Sequence, residues 1–135
     1  MNELVAVIHI TPTAKARAKA MTVKGHSFKY TPKKTRDAEK EIRFAIREKV
    51  VADGPFTAGI PLSLFAVFYL VKPKSQSKKI TLPVKRPDLD NYLKLLLDAL
   101  NQYAIPDDSQ IVDIDAHKKY DSTARIELRV WKTEA

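Results

Sequence analysis

The chain has 135 residues and a mass of 15.3 kDa, and its 24 lysines and arginines against 16 aspartates and glutamates give a net charge of +8. This length supports one domain with one core, residues 1–135, and excludes two domains. A hydrophobic content of 44% with 30% charged residues is typical of globular chains and excludes a disordered one. The absence of cysteine excludes disulfides and thiolate metal sites.

No segment of the sequence is typical of a membrane or secreted protein. The longest apolar run, residues 60–71, is interrupted by Pro61 and Ser63 and is too short to span a membrane. The N-terminus has no basic segment leading into an apolar stretch, so we expect no secretory signal. The sequence therefore predicts a cytoplasmic protein.

Charge is distributed unevenly along the chain. Residues 14–49 hold 12 basic and 4 acidic side chains, and residues 72–86 hold 6 basic and none acidic. Residues 87–121 reverse the balance, with 3 basic and 8 acidic side chains. A basic surface favours a polyanionic partner, nucleic acid first. The acidic segment would repel phosphate unless a cation lay between them; alternatively, its acids are only solvated surface residues.

Apolar periodicity predicts the element order β-α-β-α-β-β, an α/β (α+β) domain with a small mixed sheet of about four strands and two main helices. The strands are predicted over residues 4–10, 62–71, 111–119 and 125–131. The first helix is predicted to be capped by Thr35 and to end at Asp53, and the second to run from Leu89 to about Tyr103. Residues 11–34 and 72–87 read as long basic loops. The turn at residues 121–122 predicts a hairpin between the last two strands.

The second predicted helix carries a row of charged side chains. Asp90, Lys94 and Asp98 lie at i, i+4 and i+8, so they share one helix face, opposite a leucine stripe. Surface salt bridges are the simpler interpretation of this row. Asp88, which follows Pro87, is the predicted N-cap, and from that position its carboxylate can converge with that of Asp90. A plain capping role for Asp88 is the alternative.

Further charged residues follow the second helix. Asp107 and Asp108 lie between it and the next strand, where one acid would be enough for a turn. Lys118 falls on the apolar parity of that strand, so it either extends out to solvent or neutralises charge at a site. Together, the carboxylates and lysines make a phosphodiesterase site, in which the acids hold one or two Mg²⁺ ions and the basic loops bind a nucleic acid backbone.

With this set of residues, the sequence resembles the RusA-type Holliday junction resolvases. The resemblance covers nearly the whole chain and rests on the string Asp88-x-Asp90-Asn91-x-x-Lys94-x-x-x-Asp98-Ala99-Leu100, then Asp107-Asp108-x-Gln110-Ile111 and Lys118. It implies that Asp88, Asp90 and Asp108 bind metal and that Lys94 is catalytic. It also implies supporting positions, which are Asn91, Asp98, Asp107, Gln110 and Lys118.

The resemblance extends to the N-terminal part, with one departure. Family members often carry Lys-x-Arg-Pro-Arg before Tyr-Thr-Pro; here the first motif is Lys15-Ala16-Arg17-Ala18-Lys19 and the second is Tyr30-Thr31-Pro32. We expect DNA contacts from the basic residues Lys15, Arg17, Lys19, Lys33, Lys34, Lys85 and Arg86.

The resemblance implies a homodimer that uses Mg²⁺, which Mn²⁺ can replace, and that cuts a four-way DNA junction at two symmetric points. Two alternatives stay open from the sequence. One is a DNA-binding protein of this fold without useful nuclease activity. The other is a nuclease for flaps or other branched DNA.

Overall fold

The described part of the chain forms six strands, two α-helices and one short 3₁₀ turn. The computed structural model describes residues 1–16 and 19–134, the side chains of Lys19 and Phe28 excepted. The elements, in chain order, are β1 (Glu3–Ile8), β2 (Lys19–Val23), β3 (His26–Tyr30), α1 (Lys33–Asp53), β4 (Leu62–Leu70), α2 (Leu89–Leu100), a 3₁₀ turn (Asp108–Gln110), β5 (Ile111–Tyr120) and β6 (Arg125–Lys132).

Four of the strands form one mixed sheet in the order β1-β6-β4-β5. Strand β6 pairs antiparallel with both β1 and β4, whereas β4 and β5 are parallel. A parallel pair needs a crossover connection, and here the segment containing α2 provides it. The predicted α/β (α+β) class, with about four sheet strands and two main helices, is confirmed.

The predicted hairpin between the last two strands is wrong. Strands β5 and β6 lie on opposite sides of β4 and do not pair with each other. The connection after β5 passes the end of β4, where the Asp121 N–H donates to the Leu70 carbonyl at 2.9 Å. Because β4 is apolar on both parities, it is the natural centre of the sheet and takes a neighbour on each side.

The prediction of one long loop over residues 11–34 is also wrong. Strands β2 and β3 form a separate two-stranded ribbon, with Val23 opposite His26. Lys24 and Gly25 connect them with φ of 49° and 79°. Two successive positive φ angles are typical of a two-residue hairpin turn, and glycine adopts the second one without strain. The full order is therefore β-β-β-α-β-α-β-β.

The helix boundaries differ from the predictions at the start of α1 and at the end of α2. Helix α1 begins at Lys33 with Pro32 as its N-cap, so Thr35 is not the cap. Thr35 is buried in the first turn, where its Oγ1 accepts a hydrogen bond from the Ala16 N–H at 3.4 Å. The predicted end of α1 at Asp53 is confirmed, and Gly54 follows with φ of 71°. Helix α2 ends at Leu100, three residues before the predicted end.

One core holds the two helices on the sheet. It contains alternate residues of β1, β6 and β4 together with the apolar stripes of α1 and α2, among them Leu4, Ile42, Leu64, Phe68, Leu96 and Leu128. The prediction that β4 is covered on both faces is confirmed in part, since on the other parity Ser63 and Val67 are buried whereas Phe65 and Tyr69 are partly exposed. Within the described ranges, no helix is long and apolar enough to cross a bilayer.

Phe68 provides a test of this packing. Its ring, 1% exposed, stacks on Tyr92 of α2 with centroids 5.6 Å apart, so it joins the central strand to the helix. Phe68→Ala should lower the free energy of unfolding by about 3–5 kcal/mol, because it leaves a cavity. Phe44→Ala is the matched control, since Phe44 is 75% exposed, and it should cost less than about 0.5 kcal/mol. Equal losses in urea titrations of the two variants would contradict this description of the core.

Candidate active site

Asp88 lies at the N-cap of α2, as the sequence predicts, but it does not act as a plain cap. Its backbone is extended, with φ of −72° and ψ of 149°, and its side chain makes no capping hydrogen bond to the helix. The Asp88 carbonyl instead accepts from the N–H of Asn91 at 3.1 Å. The exposed Asp88 carboxylate is therefore available to a ligand, next to the exposed carboxylate of Asp90 in the first turn.

The row Asp90, Lys94 and Asp98 does not form the salt bridges that its spacing allows. Asp90 and Lys94 are exposed, and in the described part of the chain neither makes an ion pair. Asp98 is paired, but with Lys15, whose Nζ lies 2.9 Å from its Oδ2. The ammonium group of Lys94 is thus left without a carboxylate partner on its own helix, one turn from Asp90.

Lys15 lies at the centre of a group of four charged side chains. Its Nζ contacts Oε1 of Glu39 at 2.7 Å as well as Asp98, and Arg43 contacts the other oxygen of Glu39 at 3.4 Å. Burial lowers the pKa of Lys15, but its hydrogen bonds to Glu39 and Asp98 outweigh that effect, so the pKa lies above its usual value. Its own N–H donates to the Asn91 carbonyl at 2.9 Å. These partners differ from the DNA phosphates that the sequence predicts for Lys15.

Lys118 holds the segment that leads into α2. From the helix-facing side of β5, its Nζ donates to the carbonyls of Lys85 and Pro87, each at 3.0 Å. It therefore neither extends freely into solvent nor contacts a described carboxylate. Its contacts fix the chain one residue before Asp88, which makes it a support for the first turn of α2.

The basic loop before α2 is anchored to the rest of the domain. Lys72 donates to the Ile80 carbonyl at 2.5 Å, and the hydroxyl of Tyr120 donates to Oε1 of Gln76 at 2.8 Å. These contacts hold the first half of the loop, and Lys118 holds its end. The loop exposes five basic side chains close in sequence to the acidic end of α2: Lys74, Lys78, Lys79, Lys85 and Arg86.

Among the other predicted DNA-binding residues, Lys33 and Lys34 lie at the start of α1 and the backbone of Lys19 lies at the start of β2. Lys33 and Lys34 are exposed in the first turn of α1, and Lys33 is 3.7 Å from Asp37. Arg17 lies outside the described residues, as does the side chain of Lys19, whose backbone opens β2. The DNA contacts of all seven predicted basic residues stay predictions.

Asp107 and Gln110 have a structural role after α2. The Asp107 carboxylate accepts from the Ser109 N–H at 3.0 Å, which lowers the pKa of Asp107. Gln110 is buried; its Nε2 donates to the carbonyls of Thr57 and Ile60 at 2.9 and 3.0 Å, and its Oε1 accepts from the Asp107 N–H. Since Asp107 serves the turn, the carboxylate of Asp108 is not needed there.

The predicted metal ligands lie at the two ends of α2. Asp88 and Asp90 are at its N-terminal end, whereas the N–H of Asp108 donates to Oδ1 of Asn101, directly after its C-terminal end. The helix has 12 residues, which correspond to about 18 Å. Accordingly, among residues 1–16 and 19–134 no three acidic or histidine side chains are grouped so that they could hold a metal ion. One chain does not bring the three aspartates together.

The sequence predictions missed Glu39 and Arg43, which complete the group around Lys15. Arg43 also donates from Nε to the Ala99 carbonyl of α2 at 3.1 Å. A signal for Glu39 was present, because it lies next to Ala38 on the apolar stripe of α1. A carboxylate at such a position is buried and needs a cationic partner.

Comparison with known proteins identifies the family of the chain. A family model for endodeoxyribonuclease RusA matches residues 9–131. The chain therefore belongs to the RusA family of endodeoxyribonucleases.

Two relatives are similar to the chain over part of its length. The protein YqaN of Bacillus subtilis (strain 168) is 35% identical over 85 residues, which are 56% of this chain and 60% of YqaN. The crossover junction endodeoxyribonuclease rusA of Lactococcus phage r1t is 33% identical over 92 residues, which are 64% of this chain and 69% of the phage protein. The matched part thus spans between three fifths and seven tenths of these relatives.

Gln110 and Lys94 should respond very differently to truncation. Gln110→Ala should lower the free energy of unfolding by about 1–3 kcal/mol, because it removes a buried side chain together with its hydrogen bonds to the partly buried carbonyls of Thr57 and Ile60. Lys94→Ala should cost less than about 0.5 kcal/mol, since it breaks no ion pair. The measurement is the urea-induced unfolding of both variants beside the wild type. A Lys94→Ala loss as large as that of Gln110→Ala would show that Lys94 has a structural partner.

Proposed function

We propose that this protein is a Mg²⁺-dependent, structure-specific endodeoxyribonuclease that resolves Holliday junctions by paired symmetric cuts during DNA recombination and repair in the cytoplasm. One observation carries the proposal. In a chain of the RusA family, the exposed end of α2 presents Asp88, Asp90 and Lys94, which have no ion-pair partner among the described residues, beside an anchored basic loop. Exposed charges that no neighbour uses are the groups available to metal and substrate.

The donor chemistry of the aspartates fits a hard divalent cation. Mg²⁺ is typically held in proteins by one or two carboxylates together with water and phosphate oxygens. Asp88, Asp90 and Asp108 are the residues proposed to hold it, and Mn²⁺ favours the same oxygen ligands. When bound, such an ion lowers the pKa of water and stabilises the negative charge that phosphate gains during hydrolysis.

Lys94 is proposed as the catalytic cation of the chain. Its exposed ammonium group is one turn from Asp90, on the face of α2 that points away from the core. A positive charge at this position can contact the scissile phosphate and stabilise charge that develops in the transition state. The basic loop and the start of α1 supply the phosphate contacts that hold DNA, independently of its sequence.

We further propose that the working enzyme is a homodimer, because the metal ligands of one chain are too far apart. A two-fold axis beside α2 would place the N-terminal end of one α2 next to the C-terminal end of the other. Asp108 of the second copy would then join Asp88 and Asp90 of the first. The two resulting sites are related by symmetry, as are the two cuts in a four-way junction.

An apolar patch along α2 supports this arrangement. Leu89, Leu93 and Leu97 follow one another at helical spacing on the side of α2 away from Asn91 and Asp98, and all three are only partly buried. Ile114, on the helix-facing side of the edge strand β5, is 42% exposed, and Val112, at the irregularity near the start of β5, is 64% exposed. Together these residues make an apolar surface that spans the length of α2 and that a second copy would cover.

One assay of DNA binding and cleavage distinguishes this proposal from the two alternative functions that the sequence leaves open. A DNA-binding protein without useful nuclease activity would bind a labelled four-way junction and leave it intact. A nuclease for flaps or other branched DNA would cut those substrates faster than the junction. The exposed, unpartnered Asp88, Asp90 and Lys94 favour cleavage over binding alone.

Asp90→Asn is the direct test of the proposed activity. It removes one negative charge from the acidic end of α2 but no basic side chain, so cleavage of a labelled junction should be abolished while junction binding survives. In single-turnover reactions with saturating enzyme and Mg²⁺, Lys94→Ala should be about 10²-fold slower than the wild type, as expected for loss of a transition-state contact.

Two controls accompany this assay. A linear duplex of the same sequence should be bound but not cut, and junction affinity should fall steeply between low and physiological salt. Asp53→Asn, at the far end of α1, removes an exposed carboxylate of equal charge and should cut at the wild-type rate. Full activity of Asp90→Asn in Mg²⁺ would overturn the site assignment.

A further inference from the structure

The ion pair between Lys15 and Asp98 has a consequence for Lys94. Asp98 lies one turn after Lys94 on the same exposed face of α2, and oppositely charged side chains at i and i+4 of a helix attract each other. Asp90, the other carboxylate one turn away, is a proposed metal ligand. Asp98 is therefore the carboxylate that competes with DNA phosphate for Lys94 once the metal is bound.

The position of Lys15 is fixed from three sides. Its backbone is anchored by the hydrogen bond to the Asn91 carbonyl, at 2.9 Å. Its ammonium group bridges Asp98 to the buried Glu39, which Arg43 holds from the other side. The side chain of Lys15 is only 19% exposed, so its ion pair with Asp98 is less screened by solvent than an open surface pair.

We propose that Lys15 is a positioning residue for Lys94: it holds the carboxylate of Asp98, so that Lys94 stays free to contact the phosphate that is cut. This role rests on the proposed function in so far as Lys94 contacts phosphate. It replaces the expectation that Lys15 itself binds DNA.

A double substitution tests the role of Lys15 in cleavage. Lys15→Gln keeps a hydrogen-bond donor but removes the charge, so Asp98 should turn to Lys94 and single-turnover cleavage should slow about two-fold, the size of a competing i, i+4 ion pair on a helix. Adding Asp98→Asn to that variant should restore the wild-type rate, as judged from replicate single-turnover measurements. A double variant that cuts no faster than Lys15→Gln would overturn the proposal.

Binding measurements separate this role from direct DNA contact. If Lys15 contacted phosphate, Lys15→Gln would weaken junction affinity and reduce the slope of log K against log salt by about one. A positioning residue leaves that slope unchanged. Lys49→Gln is the matched control, because Lys49 pairs with Asp53 at 2.7 Å at the other end of α1. It should change neither the rate nor the slope.

Chemical labelling of Lys94 tests whether it pairs with Asp98, and it does not depend on nuclease activity. The measured quantity is the rate at which an amine-reactive ester acylates Lys94 in the presence of Mg²⁺, followed by mass spectrometry. Lys94 should react more slowly in Lys15→Gln than in the wild type, and at the wild-type rate in the double variant. Asp98→Asn alone, which serves if Lys15→Gln does not fold, should leave Lys94 reactivity unchanged, because Lys15 already holds Asp98. Equal reactivity in wild type and folded Lys15→Gln, or a rise in Asp98→Asn, would overturn the pairing. If the wild type cuts no junction, the proposed function is wrong, but the acylation rates still show whether Asp98 pairs with Lys94 when Lys15 is replaced.

Discussion

The length of helix α2 is the constraint on which the rest of this site depends. A helix of 12 residues is a rigid spacer of about 18 Å, and it separates Asp88 and Asp90 from Asp108. Its orientation is fixed by the core, where Tyr92 stacks on Phe68 of the central strand. No rearrangement of exposed side chains can remove this separation, so a site that uses all three aspartates has to draw them from two chains.

The contacts around α2 divide the charged residues into those that build the site and those left free to act. Lys118 fixes the chain before Asp88, Asp107 serves the turn after the helix, and Lys15 compensates Asp98. Asp88, Asp90 and Lys94 remain exposed. The proposed function gives a reason for an acidic patch in a protein of net charge +8, because it assigns the carboxylates at this end of the helix to metal binding rather than to internal ion pairs.

The features that were predicted from the sequence depend on local pattern. The N-cap position of Asp88 follows from Pro87 and the leucine period, and the two helices follow from their apolar stripes. The place of β6 beside β4 was not predicted, because the turn after β5 carries no information on which strand β6 will pair with. The ion-pair partner of Asp98 could not be predicted from the sequence either. The spacing along α2 favours Lys94, whereas the fold places Lys15, from a segment distant in sequence, next to Asp98.

Mixing two inactive variants tests the shared site most directly. In a mixed dimer of Asp90→Asn and Asp108→Asn chains, one site would contain both substitutions and the other none. The account therefore predicts that each variant alone leaves a labelled junction uncut, while the mixture makes a single cut in one strand. Chains with two different affinity tags show by co-purification that subunits have exchanged. A mixture that exchanges subunits and still cuts nothing would contradict the account, because it would mean that each chain builds its site alone.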